Sequence, residues 1–152
     1  MSTIKVDTYL TRGGASEIAI DKLKGVTAAG SMLVVGEGGT TTTNLQQGLS
    51  KAWFHVALDG ASISDSFNIS SHDDDGSGDG GIHISNDMGS ANYSVQLSSD
   101  DGATSSAIVT IEVTKDAQAA GNFDYETAFV NSSTNRTNAD ITRFGAIFGD
   151  LA

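Results

Sequence analysis

The chain predicts an all-β fold: an antiparallel β-sandwich or jelly-roll-like body preceded by an extended N-terminal β arm. Three observations carry that expectation. Apolar residues alternate with period two through the later two thirds of the sequence. Asp-Gly pairs, which tolerate the positive φ of tight hairpin turns, fall between the alternating runs. Helical spacing is confined to one short stretch. At 152 residues, 38% hydrophobic and 18% charged, the chain can build one core and lacks the dense charge of a disordered segment.

The front reads as isolated short strands. Ile4 and Val6 alternate with Lys5 and Asp7, Ile18 and Ile20 flank Ala19, and Met32-Leu33-Val34-Val35 is a brief apolar run. Residues 36–43, glycines followed by four threonines, form an extended connector, and 44–49, reaching to 51, make a helical turn or two. Strands this short cannot bury their faces alone. Residues 1–50 are therefore expected to be an anchoring arm completed by a partner or by other copies of the chain. Its contact residues would be Ile4, Val6, Ile18, Ile20, Leu33 and Val35.

The body, 51–152, begins with the clearest strand. In 52–58, Ala52, Phe54, Val56 and Leu58 share one face, and Trp53 points the other way, exposed for binding or covered by a neighbouring subunit. Similar runs follow at 62–69, 81–85, 92–97, 107–113, 125–130 and 141–148, with turns expected at Asp59-Gly60, Asp75-Gly76, Asp79-Gly80 and Asp101-Gly102.

Charge divides the chain as sharply as periodicity does. Residues 1–51 carry +1, residues 52–114 hold ten acids and no Lys or Arg, and residues 115–152 carry −2, for a net −11. A neutral front suits docking, and an acidic body suits a solvent-facing surface. The absence of basic clusters argues against nucleic acid and against anionic membranes. No apolar run reaches the roughly 18 to 20 residues of a membrane span, and the opening residues lack the layout of a secretion signal. With no Cys there is no disulfide, thiolate nucleophile or zinc–thiolate site.

The sharpest chemical feature is 72–81, an Asp-rich loop in which Asp73, Asp75, Ser77 and Asp79 alternate around a glycine. Such oxygen ligands bind Ca²⁺, the only cofactor the sequence suggests. The match to a calcium loop is incomplete, because Ile84 stands where a bidentate Glu is needed, and a solvated acidic turn accounts for the same residues. Enzymatic activity is not expected. His55, His72 and His83 have ordinary strand or loop settings, no Gly-x-Ser-x-Gly elbow occurs, and nothing singles out a carboxylate pair. Trp53 with Tyr9, Tyr93 and Tyr125 could form a stacking surface for sugars.

Several segments carry a resemblance. The opening Ser2-Thr3-Ile4-Lys5-Val6-Asp7-Thr8, the stretch Gly38-Gly39-Thr40-Thr41-Thr42-Thr43-Asn44-Leu45-Gln46-Gln47-Gly48-Leu49-Ser50-Lys51-Ala52-Trp53 and the segment Ile63-Ser64-Asp65-Ser66-Phe67-Asn68-Ile69-Ser70-Ser71 are similar to virion structural, tail-fibre-like proteins of marine tailed phages. Asp75-Gly76-Ser77-Gly78-Asp79, Met88-Gly89-Ser90-Ala91-Asn92-Tyr93 and the closing Gly149-Asp150-Leu151-Ala152 extend the likeness. The chain departs from that pattern at Gly80-Gly81, where an aromatic usually opens a strand.

The resemblance implies a protein made in a bacterial cytoplasm and displayed on the virion, as a capsid decoration, knob or short fibre held non-covalently through its N-terminal arm. Other virion proteins, major capsid or tail, would be its partners, and it would form homo-oligomers, trimers by analogy with phage fibres. The alternative it implies is a tail-fibre-type receptor-binding adhesin contacting host surface glycans.

Overall fold

The computed structural model describes residues 22, 32–36, 39–100, 108–114, 117–130 and 135–152. Ile4, Val6, Tyr9, Ile18, Ile20 and the Asp101-Gly102 turn lie outside the described residues.

The body is an antiparallel β-sandwich. One layer has the strand order β4-β3-β11-β7, formed by β3 (Ala52–Val56), β4 (Ile63–Phe67), β7 (Ser94–Ser99) and β11 (Arg143–Phe148). In the other, β5 (Ile69–Gly76), β6 (Asp79–Ile84) and β9 (Asn122–Val130) are successive neighbours. Strand β9 carries β8 (Ile108–Val113) on its far edge. Its near edge pairs first with β6 and then, beyond Thr127, with β10 (Arg136–Asn138). The chain makes a hairpin in each layer in turn, and its first and last body strands, β3 and β11, pair at the centre.

Period-two alternation builds the core between the layers. Ala52, Phe54 and Val56 of β3 and Ile147 of β11 face Ile82 and Ile84 of β6 and Phe123 and Tyr125 of β9. The Phe54 ring lies 6.1 Å from that of Phe123 and 6.4 Å from that of Tyr125. Each of the larger aliphatic and phenylalanine side chains among them contributes about 1.5–3 kcal/mol relative to exposure. Gly145, across from Phe54 in the β3–β11 register, leaves the space the ring fills, since a Cβ there would stand 2.2 Å from it.

Three expectations about strand limits are corrected. Leu58 is exposed, because the chain turns through 58–60 immediately after β3. The run 62–69 is broken at Asn68, whose φ of 58° suits Asn better than a branched residue and carries the chain from β4 across to β5. Asn68 holds that corner by accepting from Asn86 N at 2.9 Å and donating to the Lys51 carbonyl at 3.0 Å.

The third correction concerns the Asp-rich segment, which is a hairpin of β5 and β6 turning at Ser77-Gly78, with Gly78 at φ 74°. Asp79-Gly80 is therefore strand and not turn, and Gly76 (φ 129°) sits at a bulge. Gly80 is required inside β6 because a Cβ would lie 2.7 Å from His72 Nε2 and 2.8 Å from the Asp73 carbonyl.

Ahead of the body, β1 (Leu33–Val35) and β2 (Thr42–Asn44) form a two-stranded hairpin leading into α1 (Leu45–Gly48), a single turn whose N-cap Asn44 accepts from Gln47 N at 3.1 Å. Leu33, Val34 and Val35 are all exposed.

Candidate functional site

The two outer faces of the sandwich differ in chemistry. On the layer β4-β3-β11-β7, outward residues form rows across the strands: Phe67, Trp53, Ala146 and Gln96 in one, and Asp65, His55, Phe144 and Ser98 in the next. Phe148 continues the outward set of β11 opposite Ser94. Trp53, Phe67 and Phe144 are 39%, 54% and 38% exposed, large fractions for aromatic rings on the solvent face of a sheet. His55 packs against Phe144 with ring centroids 4.7 Å apart and the ring planes tilted by 32°. A shallow depression of about 320 Å³ lies beside Phe144, lined by Gln96, Ser98 and Ala146. A larger one of about 520 Å³ opens beside Phe67, walled by Leu49 and Leu151 with Asn68, Asn86 and Asp150 at its rim.

Trp53 thus stands where period two puts it, and the fold supplies the neighbours that sequence reasoning missed. Phe67 was read only as part of a run, and Phe144 sits in a run whose inner face is set by Arg143, Gly145 and Ile147. Pairing register, not composition, brings these rings together. The other proposed stackers do not join them. Tyr93 is buried with its hydroxyl donating to the Ala119 and Asn122 carbonyls, and Tyr125 is fully buried against His72.

The outer face of the second layer is acidic. Across β8, β9 and β6, Glu112 stands opposite Glu126 and Glu126 opposite Asp79. Arg136 bridges Glu112 and Glu126 at 2.8 and 2.9 Å. Asp79 is held above the ordinary carboxylate value, by partial desolvation first and then by the charges of Glu126 and Asp75. Asp73 is paired with His83 at 2.6 Å, Asp75 is exposed near the hairpin end, and Ser77 lies in the turn, its hydroxyl 3.5 Å from the Asn138 carbonyl. These four residues line the β5–β6 hairpin, and among the described residues no group of three or more His, Asp or Glu side chains is placed to hold a metal ion.

A buried polar cluster closes one end of the sandwich. Arg143, 1% exposed, donates from Nε and Nη2 to Thr127 Oγ1 at 3.2 and 3.0 Å and from Nη2 to Asp140 at 3.2 Å, with its guanidinium 5.4 Å from the centre of the Tyr125 ring. Thr127 Oγ1 in turn donates to the Ala139 carbonyl at 2.7 Å, and Gly78 N donates to Asp140 at 2.9 Å. The cluster ties β11 to the joint between β6 and β10.

His72, expected in a loop, is a half-buried β5 residue whose Nε2 shares a 2.7 Å hydrogen bond with the Tyr125 hydroxyl. Burial first, and the nearby Arg143 charge, lower its pKa below 6.5, against the raising influence of the Ala61 backbone and of Asp74 and Asp73. The folded state therefore holds His72 neutral while the unfolded chain takes up a proton, so its contribution is present above pH 6.5 and is lost as pH falls from there toward the lower folded-state value. In urea titrations from pH 7 to 5, His72→Gln should show a shallower fall in stability than the wild type. Equal slopes would remove His72 from the acid response.

No helix among the described residues is long and apolar enough to cross a membrane. Compared with family models, with curated proteins and with solved structures, the chain finds no match in any of the three.

Proposed function

We propose that this chain is a non-enzymatic structural protein of a phage particle, a β-sandwich displayed at the surface and held non-covalently through its N-terminal arm. The observation that carries the reading is the exposed run Leu33, Val34 and Val35 on a two-stranded hairpin. Three consecutive aliphatic residues left in water on a sheet that no other described strand covers suit a segment that is buried on docking. The contrast with the acidic body supports an attached front and a solvent-facing body. Its partners would be major capsid or tail proteins of the same particle.

The test is incorporation of Val34→Asp into particles grown from an otherwise intact phage. Incorporation should fall at least about tenfold, the effect of placing a charge in a desolvated contact, while the midpoint of thermal unfolding moves by less than about 2 °C. Normal incorporation would remove the arm from attachment. Immunogold labelling of wild-type particles with an antibody to the body distinguishes a head decoration from a tail knob, and no label on any particle would overturn the assignment.

A second reading, a tail-fibre-type adhesin contacting host glycans, is favoured by the exposed aromatic rows of the β4-β3-β11-β7 face.

A further inference from the structure

We propose that the outer face of β4-β3-β11-β7 is a saccharide platform for neutral, hydroxyl-rich pyranose chains, with Trp53, Phe67 and Phe144 as stacking rings. The inference rests on the adhesin reading and narrows it to one face and one ligand class.

The face has the mixture such a ligand needs. Its rings are presented on paired strands, Trp53 directly across from Phe67, and the neighbouring row places Phe144 beside His55. Pyranose rings offer a C–H face to aromatic rings and hydroxyls around their edge, so stacking alone is insufficient and hydrogen-bonding groups must lie beside the rings. His55 packs its ring on Phe144, and among the described residues neither its ring nitrogens nor the Ser98 hydroxyl has a hydrogen-bond partner. Among the described residues Asp65 engages one carboxylate oxygen, accepting from Ser66 N. Protein-docking surfaces also favour aromatic rings, so the hydrogen-bonding groups beside the rings, more than the rings themselves, point to a saccharide. The two rows carry no aliphatic side chain larger than Ala146, and the exposed aliphatics, Leu58 and Ile108 as well as those of the arm and the larger depression, lie outside them.

Charge selects within the ligand class. Asp65 is the only formal charge in the two rows, and residues 52–114 hold no Lys or Arg. Sialylated, sulfated or phosphorylated glycans, and nucleotides, which would also stack, meet a negative field with no cation in the rows, and Lys51, in the wall of the depression beside Phe67, is committed to the Gln46 and Leu49 carbonyls. A neutral glycan meets no such penalty. The depressions beside Phe67 and Phe144 lie at opposite ends of the aromatic rows, which favours an oligosaccharide over a single sugar.

Trp53 is the only tryptophan in the chain, so its fluorescence reports this face without labelling. The experiment titrates the full-length protein with neutral gluco-, galacto- and manno-configured oligosaccharides and with sialylated and sulfated ones. Trp53 emission and its quenching by acrylamide would be read together with binding on an array of the same glycans. A neutral oligosaccharide should shift Trp53 emission and protect it from acrylamide, with anionic ones at least about tenfold weaker. Phe67→Ser and Phe144→Ser should each lower affinity at least about tenfold, and circular dichroism should confirm that both remain folded.

Array binding that leaves Trp53 emission and both variants unchanged would overturn the platform while keeping the adhesin reading. No binding to any glycan would overturn both. Trp53 already protected without sugar, in a concentration-dependent way that follows oligomer formation by light scattering, would show that a second copy covers the face and would overturn the proposal.

Discussion

Gly145→Ala should destabilise the sandwich by about 3 kcal/mol, lowering the midpoint of thermal unfolding by roughly 10 °C. The added methyl would begin 2.2 Å from Phe54 Cε1 and 2.3 Å from Cζ, inside any allowed contact, so either the Phe54 ring or the β3–β11 pairing must move. Neither can yield cheaply. Phe54 is 2% exposed and held between Phe123 and Tyr125, and β3 and β11 are the two central strands of their layer. If this collision is the cause, shrinking the ring should relieve it. Phe54→Leu alone costs about 1–2 kcal/mol as a cavity, but Phe54→Leu with Gly145→Ala should be more stable than the two separate losses added together predict. Chemical denaturation of the four proteins measures the coupling. Strict additivity would mean that Gly145 matters for its backbone and not for the space it leaves, and a Gly145→Ala loss under about 1 kcal/mol would mean that the layers accommodate the methyl.

The same pair marks the limit of what was legible in the sequence. Period two in 52–58 identified β3 and its buried face, and the glycine and polar turns marked an antiparallel body, because burying one face of a strand imposes alternation directly on the residues. The helical turn expected within 44–51 is there at Leu45–Gly48, and the structure adds its cap, Asn44. What failed was polar or non-local. Strand β5 has only Ile69 as a core-facing aliphatic before six polar residues, so it carries no hydrophobic signal and its later part, from His72, reads as a loop. Glycine in β6 looked like a turn because its reason, the approach of His72 and Tyr125, lies on other strands. Arg143 is fully buried although charge normally marks surface, since Thr127, Asp140 and the Tyr125 ring meet it only once the sheets are assembled. The aromatic face is legible only in part for the same reason: Trp53 announces itself, but its partnership with Phe67 and Phe144 is a matter of register.

Alkaline unfolding should be steep and should begin near pH 10. Tyr93 and Tyr125 are both pushed up to about 12 by burial, the Arg143 charge lowering Tyr125 only partly. A raised folded-state pKa means that the contribution to stability is complete below the unfolded value of about 10 and is lost as pH rises from there through the folded value. Each tyrosine then contributes a slope of up to about 1.4 kcal/mol per pH unit, so the two together can remove several kcal/mol by pH 12, comparable to a whole domain's stability. The hydroxyls explain why ionisation is resisted. Tyr93 donates to two backbone carbonyls, which would repel a phenolate, and Tyr125 shares its hydrogen bond with a neutral His72. Spectrophotometric titration at 295 nm should therefore show these two of the chain's three tyrosines ionising together with the loss of β circular dichroism. Tyr93→Phe, which removes the ionisable oxygen but leaves the ring beside Phe123, should lower stability at pH 7 by about 1 kcal/mol and shift the onset of alkaline unfolding upward. Smooth ionisation of both rings near pH 10 with the β signal intact would show that solvent reaches them in the folded state, and that the core between β7 and β9 is looser than its packing indicates.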